Sequence, residues 1–201
     1  MTDVLRGRSP LRNARSPLRR ASGRFTALAM SGSNFLSATM PAATGVLSFR
    51  FALDTITNLA SNPWLLTTHA PVSIRLLASG RVRFGTSTTN DSTNPVPSIS
   101  SGVSWIRCDI TTGTGEIAHF YSSDGSSWTA NGTATVAVPA STAAGTFQAP
   151  HPATRAVGRL RLVSMLDDGV EVMRFDPLLS GAAGYTDAYG IAWTVNGGGM
   201  V

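Results

Sequence analysis

"VSWIRCDITTGTGEIAHFYSSDGSSWT" spans residues 103–129 and decides the fold class. In residues 103–112 apolar and polar side chains alternate, which is the two-residue period of a strand with one buried face. Residues 116–122 form a second strand-like run, and Asp124-Gly125 lies between it and a return strand that begins near Trp128. Asp-Gly between two strand-like runs is a strong hairpin signal. The stretch therefore predicts antiparallel β-strands joined by short turns.

Similar patterns extend to both sides of this stretch. We predict additional strands at 46–53, 73–78, 81–84, 133–138, around 157–165 and 170–175, and a closing hairpin that turns at 188–190. Ser79-Gly80 and Asp168-Gly169 supply two of the turns between them. Roughly ten to twelve strands separated by frequent turns are typical of an antiparallel sandwich. The sequence thus predicts an all-β protein, a two-sheet antiparallel jelly-roll sandwich with very little helix.

Net positive charge is confined to the first 24 residues. Residues 1–24 contain seven arginines and one acid, whereas residues 25–201 contain nine arginines and ten acids. The pentapeptide RSPLR occurs twice in the basic part, at 8–12 and 15–19. We therefore divide the chain into an Arg-rich extended arm, 1–24, and a nearly neutral jelly-roll domain, 25–201. The composition of the domain offers no basic face to a nucleic acid.

The arm admits three interpretations, of which we favour attachment to another protein. An extended, proline-punctuated peptide can lie in a groove of a partner, where arginine makes bidentate bonds to carboxylates. The predicted anchoring residues are Arg6, Arg8, Leu11, Arg12, Arg15, Leu18, Arg19, Arg20 and Arg24. In the second interpretation the arm contacts packaged DNA by neutralising phosphates, and in the third it is a solvated tail. A transit peptide has a similar composition, but Pro10 and Pro17 would interrupt its helix.

Four stretches occur in an order that is shared with a known family. They are LLASGRVRFGTST (76–88), GVSWIRCDITTGTGEIAHFYSSDGSSWT (102–129), AVGRLRLVSMLDDGVEVMRFDP (156–177) and YTDAYGIAWTVNGGG (185–199). The matching positions are Trp105, Arg107, Phe120, Tyr121, Ser123, Asp124, Gly125, Trp128, Phe175, Asp176, Pro177, Thr186, Asp187, Gly190, Trp193, Thr194, Asn196 and Gly197. This order resembles a family of bacteriophage structural proteins with a concanavalin A-like (laminin G-like) jelly roll, over about residues 31–201. The resemblance implies the jelly roll and a place on a virion, but no particular ligand.

Patterns that would indicate catalysis are missing from the sequence. Glycosidases need two carboxylates that flank the scissile bond, yet no two acids stand at i and i+2. There is no G-x-S-x-G and no phosphate-binding loop of the Walker type. His69, His119 and His151 are too scattered for a local metal motif, and Cys108 lies in a strand-like run that predicts a buried, inert thiol. We therefore predict a protein without catalytic residues or a metal centre.

Ligand-binding candidates are few. Laminin G-like domains often hold calcium near the sandwich rim, for which Asp91, Asp124 and Asp187 are loop candidates; since turn formation explains all three, we predict no cofactor. Aromatic faces can pack against sugar rings. Trp64, Trp105, Trp128 and Trp193 stand in strand-like runs, so we expect most of them in the core. Trp128, beside the Asp-Gly turn, is the best candidate of the four for an exposed position, and Asp124 and Trp128 are our candidate glycan-binding residues.

Together these features favour a non-enzymatic phage virion structural protein. It would be a head decoration or spike, a neck component or a minor tail component, attached by its basic arm to other virion proteins (capsid, neck or tail). We expect a homo-oligomer or a place in a symmetric assembly, and no membrane association, because no apolar run approaches the ~20 residues of a membrane span. The alternative is a carbohydrate-binding receptor or adhesion module that recognises host surface glycans.

Overall fold

The computed structural model describes residues 25–31, 33–68, 72–85, 90–137, 144–150 and 156–201. The arm, with all its predicted anchoring residues, lies outside the described residues. Within them the chain forms fourteen strands: β1 Leu28–Met30, β2 Phe35–Met40, β3 Val46–Asp54, β4 Trp64–Thr68, β5 Ser73–Leu76, β6 Val82–Phe84, β7 Val103–Thr111, β8 Glu116–Ser122, β9 Thr129–Thr135, β10 Gly145–Ala149, β11 Gly158–Asp167, β12 Val170–Phe175, β13 Gly184–Thr186 and β14 Ala192–Asn196. A 3-10 turn, Leu59–Ser61, lies between β3 and β4, and no helix within the described ranges is long and apolar enough to cross a membrane.

The strands form two sheets in which every pairing is antiparallel. Sheet A has the order β1-β11-β3-β7-β8-β9, with β12 also paired to β11, and sheet B has the order β13-β14-β2-β10-β4-β5-β6. The core lies between the sheets and includes Phe49 and Phe51 from sheet A and Phe84 and Phe147 from sheet B, all fully buried. The predicted all-β, two-sheet antiparallel sandwich is confirmed.

The hairpins predicted from turn residues are present. Ser79-Gly80 lies between β5 and β6, and Asp168-Gly169 connects β11 to β12. Asp168 and Gly169 both have positive φ, 48° and 81°, as a two-residue hairpin turn with the twist of the strands requires. One boundary was wrong: the return strand near Trp128 and the strand predicted at 133–138 are a single strand, β9. Gly132 lies within β9 and does not end the strand.

Four strands, β1, β2, β4 and β10, lie in segments where no strand was predicted. Their apolar residues do not alternate cleanly over a long enough run, since β1 has only three residues and β4 contains two consecutive buried leucines. They are stabilised instead by partners that are distant in sequence. β2, for example, pairs with β10 and β14, more than 100 residues away. Such pairing is decided by the assembled sheet rather than by local pattern.

Candidate functional site

The outer face of sheet A, which points away from sheet B, carries a row of large side chains. In β3 the buried Phe49 and Phe51 point into the core, so Arg50 between them points outward. Arg50 lies directly opposite Arg107 of β7, and Arg107 lies directly opposite Phe120 of β8. The register of three neighbouring strands therefore places two arginines and a phenylalanine side by side.

Trp128, at the end of the loop between β8 and β9, closes over this row. The Arg107 guanidinium carbon lies 3.9 Å from the centre of the Phe120 ring and 5.4 Å from that of Trp128. The Arg50 guanidinium carbon lies 5.8 Å from the Trp128 ring. These are cation–π distances. We call Arg50, Arg107, Phe120 and Trp128 the Trp128 cluster.

The loop that carries Trp128 is held in place by Asp124. One oxygen of its carboxylate accepts hydrogen bonds from the backbone N–H groups of Ser126 and Ser127 and from the Ser122 hydroxyl, each at 2.8 Å. These bonds, led by those from Ser127 and Ser126, hold the pKa of Asp124 far below its ordinary value. Of the two predicted glycan-binding residues, the structure therefore places Trp128 on the row of arginines and commits Asp124 to the turn.

Trp105 packs between the same loop and sheet A. It lies two residues before Arg107 on β7 and so shares the outer face with it. Gly125 has a φ of 76°, and a Cβ atom at this position would come within 2.7 Å of the Trp105 indole. A glycine is needed here both for its backbone conformation and for the close approach to Trp105. The loop is thereby packed down onto the sheet.

Charge on this face is not balanced residue by residue. Nη2 of Arg107 lies 2.9 Å from Oδ2 of Asp109, two residues further along β7. Arg50 has no carboxylate within ion-pair distance among the described residues, and burial together with the neighbouring Arg107 lowers its pKa. The Nε atoms of Arg50 and Arg107 and Oδ1 of Asp109 are buried without a hydrogen-bond partner. The cluster therefore retains unused hydrogen-bonding capacity.

Asp109 also lines a cleft of about 570 Å³ on the same face. We call it the Asp109 cleft. Its polar lining consists of Asp109, Thr111, Glu116, Thr133 and Thr135. Two carboxylates and three hydroxyls give it both hydrogen-bond acceptors and donors. Since Asp109 lines the cleft and pairs with Arg107, the cleft adjoins the Trp128 cluster on the same face.

The prediction that most tryptophans lie in the core was wrong. Trp193 is buried, but Trp64, Trp105 and Trp128 are all partly exposed. Trp64 and Trp105 lie on strands but point away from the other sheet. Trp64 lies against Arg75, and Trp105 lies against the loop at Gly125. A strand-like sequence therefore does not tell whether its tryptophan points into the core or outward; the strand register in the assembled sheet decides it.

Sequence reasoning missed Arg50, Arg107, Phe120, Asp109 and Glu116 as site residues. Two acids on one face of a single strand would stand at positions i and i+2, and the sequence has no such pair. Asp109 and Glu116 instead lie on adjacent strands, β7 and β8, whose antiparallel pairing brings both to the Asp109 cleft. The signal that could have found them is the outward alternation of Arg107, Asp109 and Thr111 immediately before the turn into β8.

The three aspartates considered for calcium are engaged with the protein's own donors. Asp91 forms ion pairs with Arg83 and Arg81. Asp187 accepts hydrogen bonds from the Trp193 indole and from three backbone N–H groups. In the part of the chain that the structure describes, no group of three or more His, Cys, Asp or Glu side chains could hold a metal ion. His69 and His151 lie outside that part.

Cys108 and His119 form a buried pair on the core side of sheet A. The imidazole Nε2 donates a hydrogen bond to the backbone oxygen of Asn90 at 2.8 Å, and Nδ1 lies 3.6 Å from the Cys108 sulfur. Burial lowers the pKa of His119 and raises the pKa of Cys108, so both side chains are neutral. The prediction of a buried thiol is confirmed.

No protein-family model and no curated protein matches this chain. Solved structures do match it. The heptameric SAP-like pentraxin from Limulus polyphemus has a TM-score of 0.54 at 12% identity, covering 71% of this chain and 76% of that one. A putative carbohydrate binding protein from Bacteroides ovatus has a TM-score of 0.63 at 11% identity, covering 87% and 59%. The full extracellular region of zebrafish Gpr126/Adgrg6 has a TM-score of 0.52 at 12% identity, covering 86% and 26%.

The sandwich is a concanavalin A-like jelly roll. This confirms the predicted fold class. At these identities the likeness shows the fold alone, and the chain spans about three-fifths of the Bacteroides protein and a quarter of the zebrafish one. None of the three is named as a phage structural protein, so that resemblance stays a prediction.

Proposed function

We propose that this jelly roll binds saccharides on the outer face of sheet A, without chemical conversion. The observation that carries the proposal is the placement of Trp128, whose ring lies over Arg50 and Arg107 beside the Asp109 cleft. A sugar ring has an apolar C–H surface that packs on an indole, and a rim of hydroxyls that need donors and acceptors. Both requirements are met on one continuous face.

The partial exposure of these groups supports binding rather than a purely structural role. The rings of Phe120 and Trp128 are both partly exposed on the outer face of sheet A, and exposed aromatic surface that is gathered in one place is typical of a ligand-binding site. The description of one neighbour as a putative carbohydrate binding protein agrees with this ligand class. The proposal nevertheless depends on this chain's own residues, since jelly rolls host many functions.

The test is a glycan array probed with the full chain and with two tryptophan variants. Trp128→Ala removes the proposed platform, and Trp64→Ala is the matched control, because Trp64 also lies over an arginine, Arg75 at 5.1 Å, but on sheet B. We expect saturable binding by the wild type, an affinity lower by about tenfold or more in Trp128→Ala, and the wild-type affinity in Trp64→Ala. Equal binding by all three proteins, or none by the wild type, would overturn the proposal.

We also propose that the domain is displayed on a virion and that residues 1–24 attach it there. The support is the division of charge along the chain, with a net positive arm and a nearly neutral domain. Deleting residues 1–24 should leave a folded domain that no longer joins particles. Undiminished incorporation of the truncated protein would refute the attachment role, whatever the outcome of the array.

A further inference from the structure

The proposed function leaves the class of saccharide open. Resting on that function, we infer that the Trp128 cluster selects acidic saccharides, with Arg50 and Arg107 binding a carboxylate carried by the sugar. Uronic acids and sialic acids both present such a group. The cross-strand register, the cation–π geometry and the ion pairs of the face support this assignment.

The first step is the direct opposition of two arginines. Arg50 and Arg107 are registered partners on β3 and β7, and both side chains point to the outer face. Like charges directly opposite each other in an antiparallel pair destabilise the sheet. A bound anion between them removes this repulsion, so the arrangement is favourable in the complex although it is unfavourable in the free protein.

The second step is the distribution of carboxylates. Most other arginines of the described residues have close acidic partners, for example Arg83 with Asp91 and Arg161, which lies 2.6 Å from Asp54; Arg75 of sheet B, which lies over Trp64, has none. Beside the cluster, Asp109 forms an ion pair with Arg107 but not with Arg50, on which Asp109 and Glu171 act only at longer range. The other cross-strand neighbour of Arg50 is Ser164. Arg50 thus has no ion-pair partner among the described residues, which leaves a place beside it for a negative charge that a ligand brings.

The third step is geometric. A guanidinium group is planar, and its fork of N–H donors matches a carboxylate with two parallel hydrogen bonds. The guanidinium carbons of Arg50 and Arg107 lie 5.8 Å and 5.4 Å from the Trp128 ring centre, within the span of a disaccharide. A saccharide at the indole can therefore place a ring carboxylate at the arginines.

The experiment compares each acidic saccharide with its own methyl ester. The full chain is titrated calorimetrically with short oligosaccharides of galacturonate, glucuronate and mannuronate and with sialyllactose, each as free acid and as ester. Esterification removes the charge and leaves the ring unchanged. We expect at least one free acid to bind, with its ester about tenfold or more weaker.

Three variants locate the effect. Arg50→Gln should abolish the preference for the acid over its ester, whereas Arg75→Gln, which removes an arginine beneath Trp64 on sheet B, should retain it. Arg50→Lys keeps the charge without the planar fork and should show a reduced preference, which provides a readout even if Arg50→Gln folds poorly. Residues 1–24 are common to all these proteins, so any attraction of the arm for anions is the same in each.

The outcomes separate this inference from the proposed function. If acid and ester bind equally and both depend on Trp128, saccharide binding stands and acid selection is overturned. If no member of the panel binds the wild type, acid selection is overturned, while saccharide binding as such is decided by the glycan array. If a sulfated saccharide without a carboxylate binds in an Arg50-dependent way and no carboxylate does, the carboxylate assignment is wrong. An unchanged preference in Arg50→Gln likewise contradicts the inference.

Discussion

Asp187 and Trp193 are joined by a hydrogen bond of 3.0 Å, from the indole Nε1 to the carboxylate Oδ2. The same oxygen accepts a bond from the backbone N–H of Arg174 at 2.8 Å. Trp193 belongs to β14 of sheet B and Arg174 to β12 of sheet A. Asp187 therefore connects the two sheets at one end of the sandwich. Tyr185 adds a second connection, because its hydroxyl donates a hydrogen bond to the carbonyl oxygen of Arg174.

Replacing this carboxylate should destabilise the whole fold. Asp187→Ala leaves the Trp193 indole N–H and three backbone N–H groups without their acceptor, and we expect a loss of about 2–3 kcal/mol in the free energy of unfolding. Urea denaturation of the full chain measures it. Glu116→Ala, at an exposed strand end, is the control and should change stability little. Equal midpoints for the two variants would show that the connection contributes nothing.

The loop that carries Trp128 should be sensitive to a single methyl group. Gly125→Ala combines a positive φ of 76° with a clash against Trp105, whereas Gly113→Ala has a similar φ of 84° and open space around the new Cβ. Backbone strain is thus common to both variants, at about 1 kcal/mol, and the difference between them reports the contact. We expect Gly125→Ala to unfold more easily and to change tryptophan fluorescence. Indistinguishable stabilities would contradict the packing of the loop on Trp105.

Acid stability should depend on Asp54. The hydrogen bond from Arg161, and then that from Thr55, lower the pKa of this carboxyl below its ordinary value. A depressed pKa stabilises the fold at pH values above the unfolded-state pKa, about 3.9, and this contribution is lost as the pH falls through the folded-state value. Asp54→Asn should therefore be less stable than the wild type at pH 7, with a gap that shrinks below about pH 4. A gap independent of pH would show that the ionised form is not what stabilises the fold.

Cys108 should react only when the protein opens. Its thiol is fully buried, and burial raises its pKa, so the reactive thiolate is scarce in the native state. We expect no reaction with Ellman's reagent over minutes in buffer and one equivalent of thiol in denaturant. Destabilising variants such as Asp187→Ala should speed the native-state reaction. Rapid modification of the folded wild type would contradict the burial.

Much of the fold follows from local pattern. Alternating runs such as 103–112 and turn pairs such as Asp168-Gly169 predict strands and hairpins, because side-chain direction has a period of two and certain backbone turns require positive φ. Strands without these signals, such as β2 and β10, were not predicted. Their conformation depends on pairing with residues that are remote in sequence, and that pairing contributes energy only after the sheet has assembled.

The site divides in the same way. Composition and turn chemistry by themselves predict the all-β class, the concentration of arginine in residues 1–24 and the choice of Asp124 and Trp128 as candidate glycan-binding residues. Tertiary structure alone decided that Arg50 faces Arg107, that Asp109 and Glu116 share a cleft, and that three of the four tryptophans lie outside the core. The physical reason is register: a shift of one residue between two strands moves every side chain to the opposite face, and no local pattern specifies which residues of β3, β7 and β8 lie side by side.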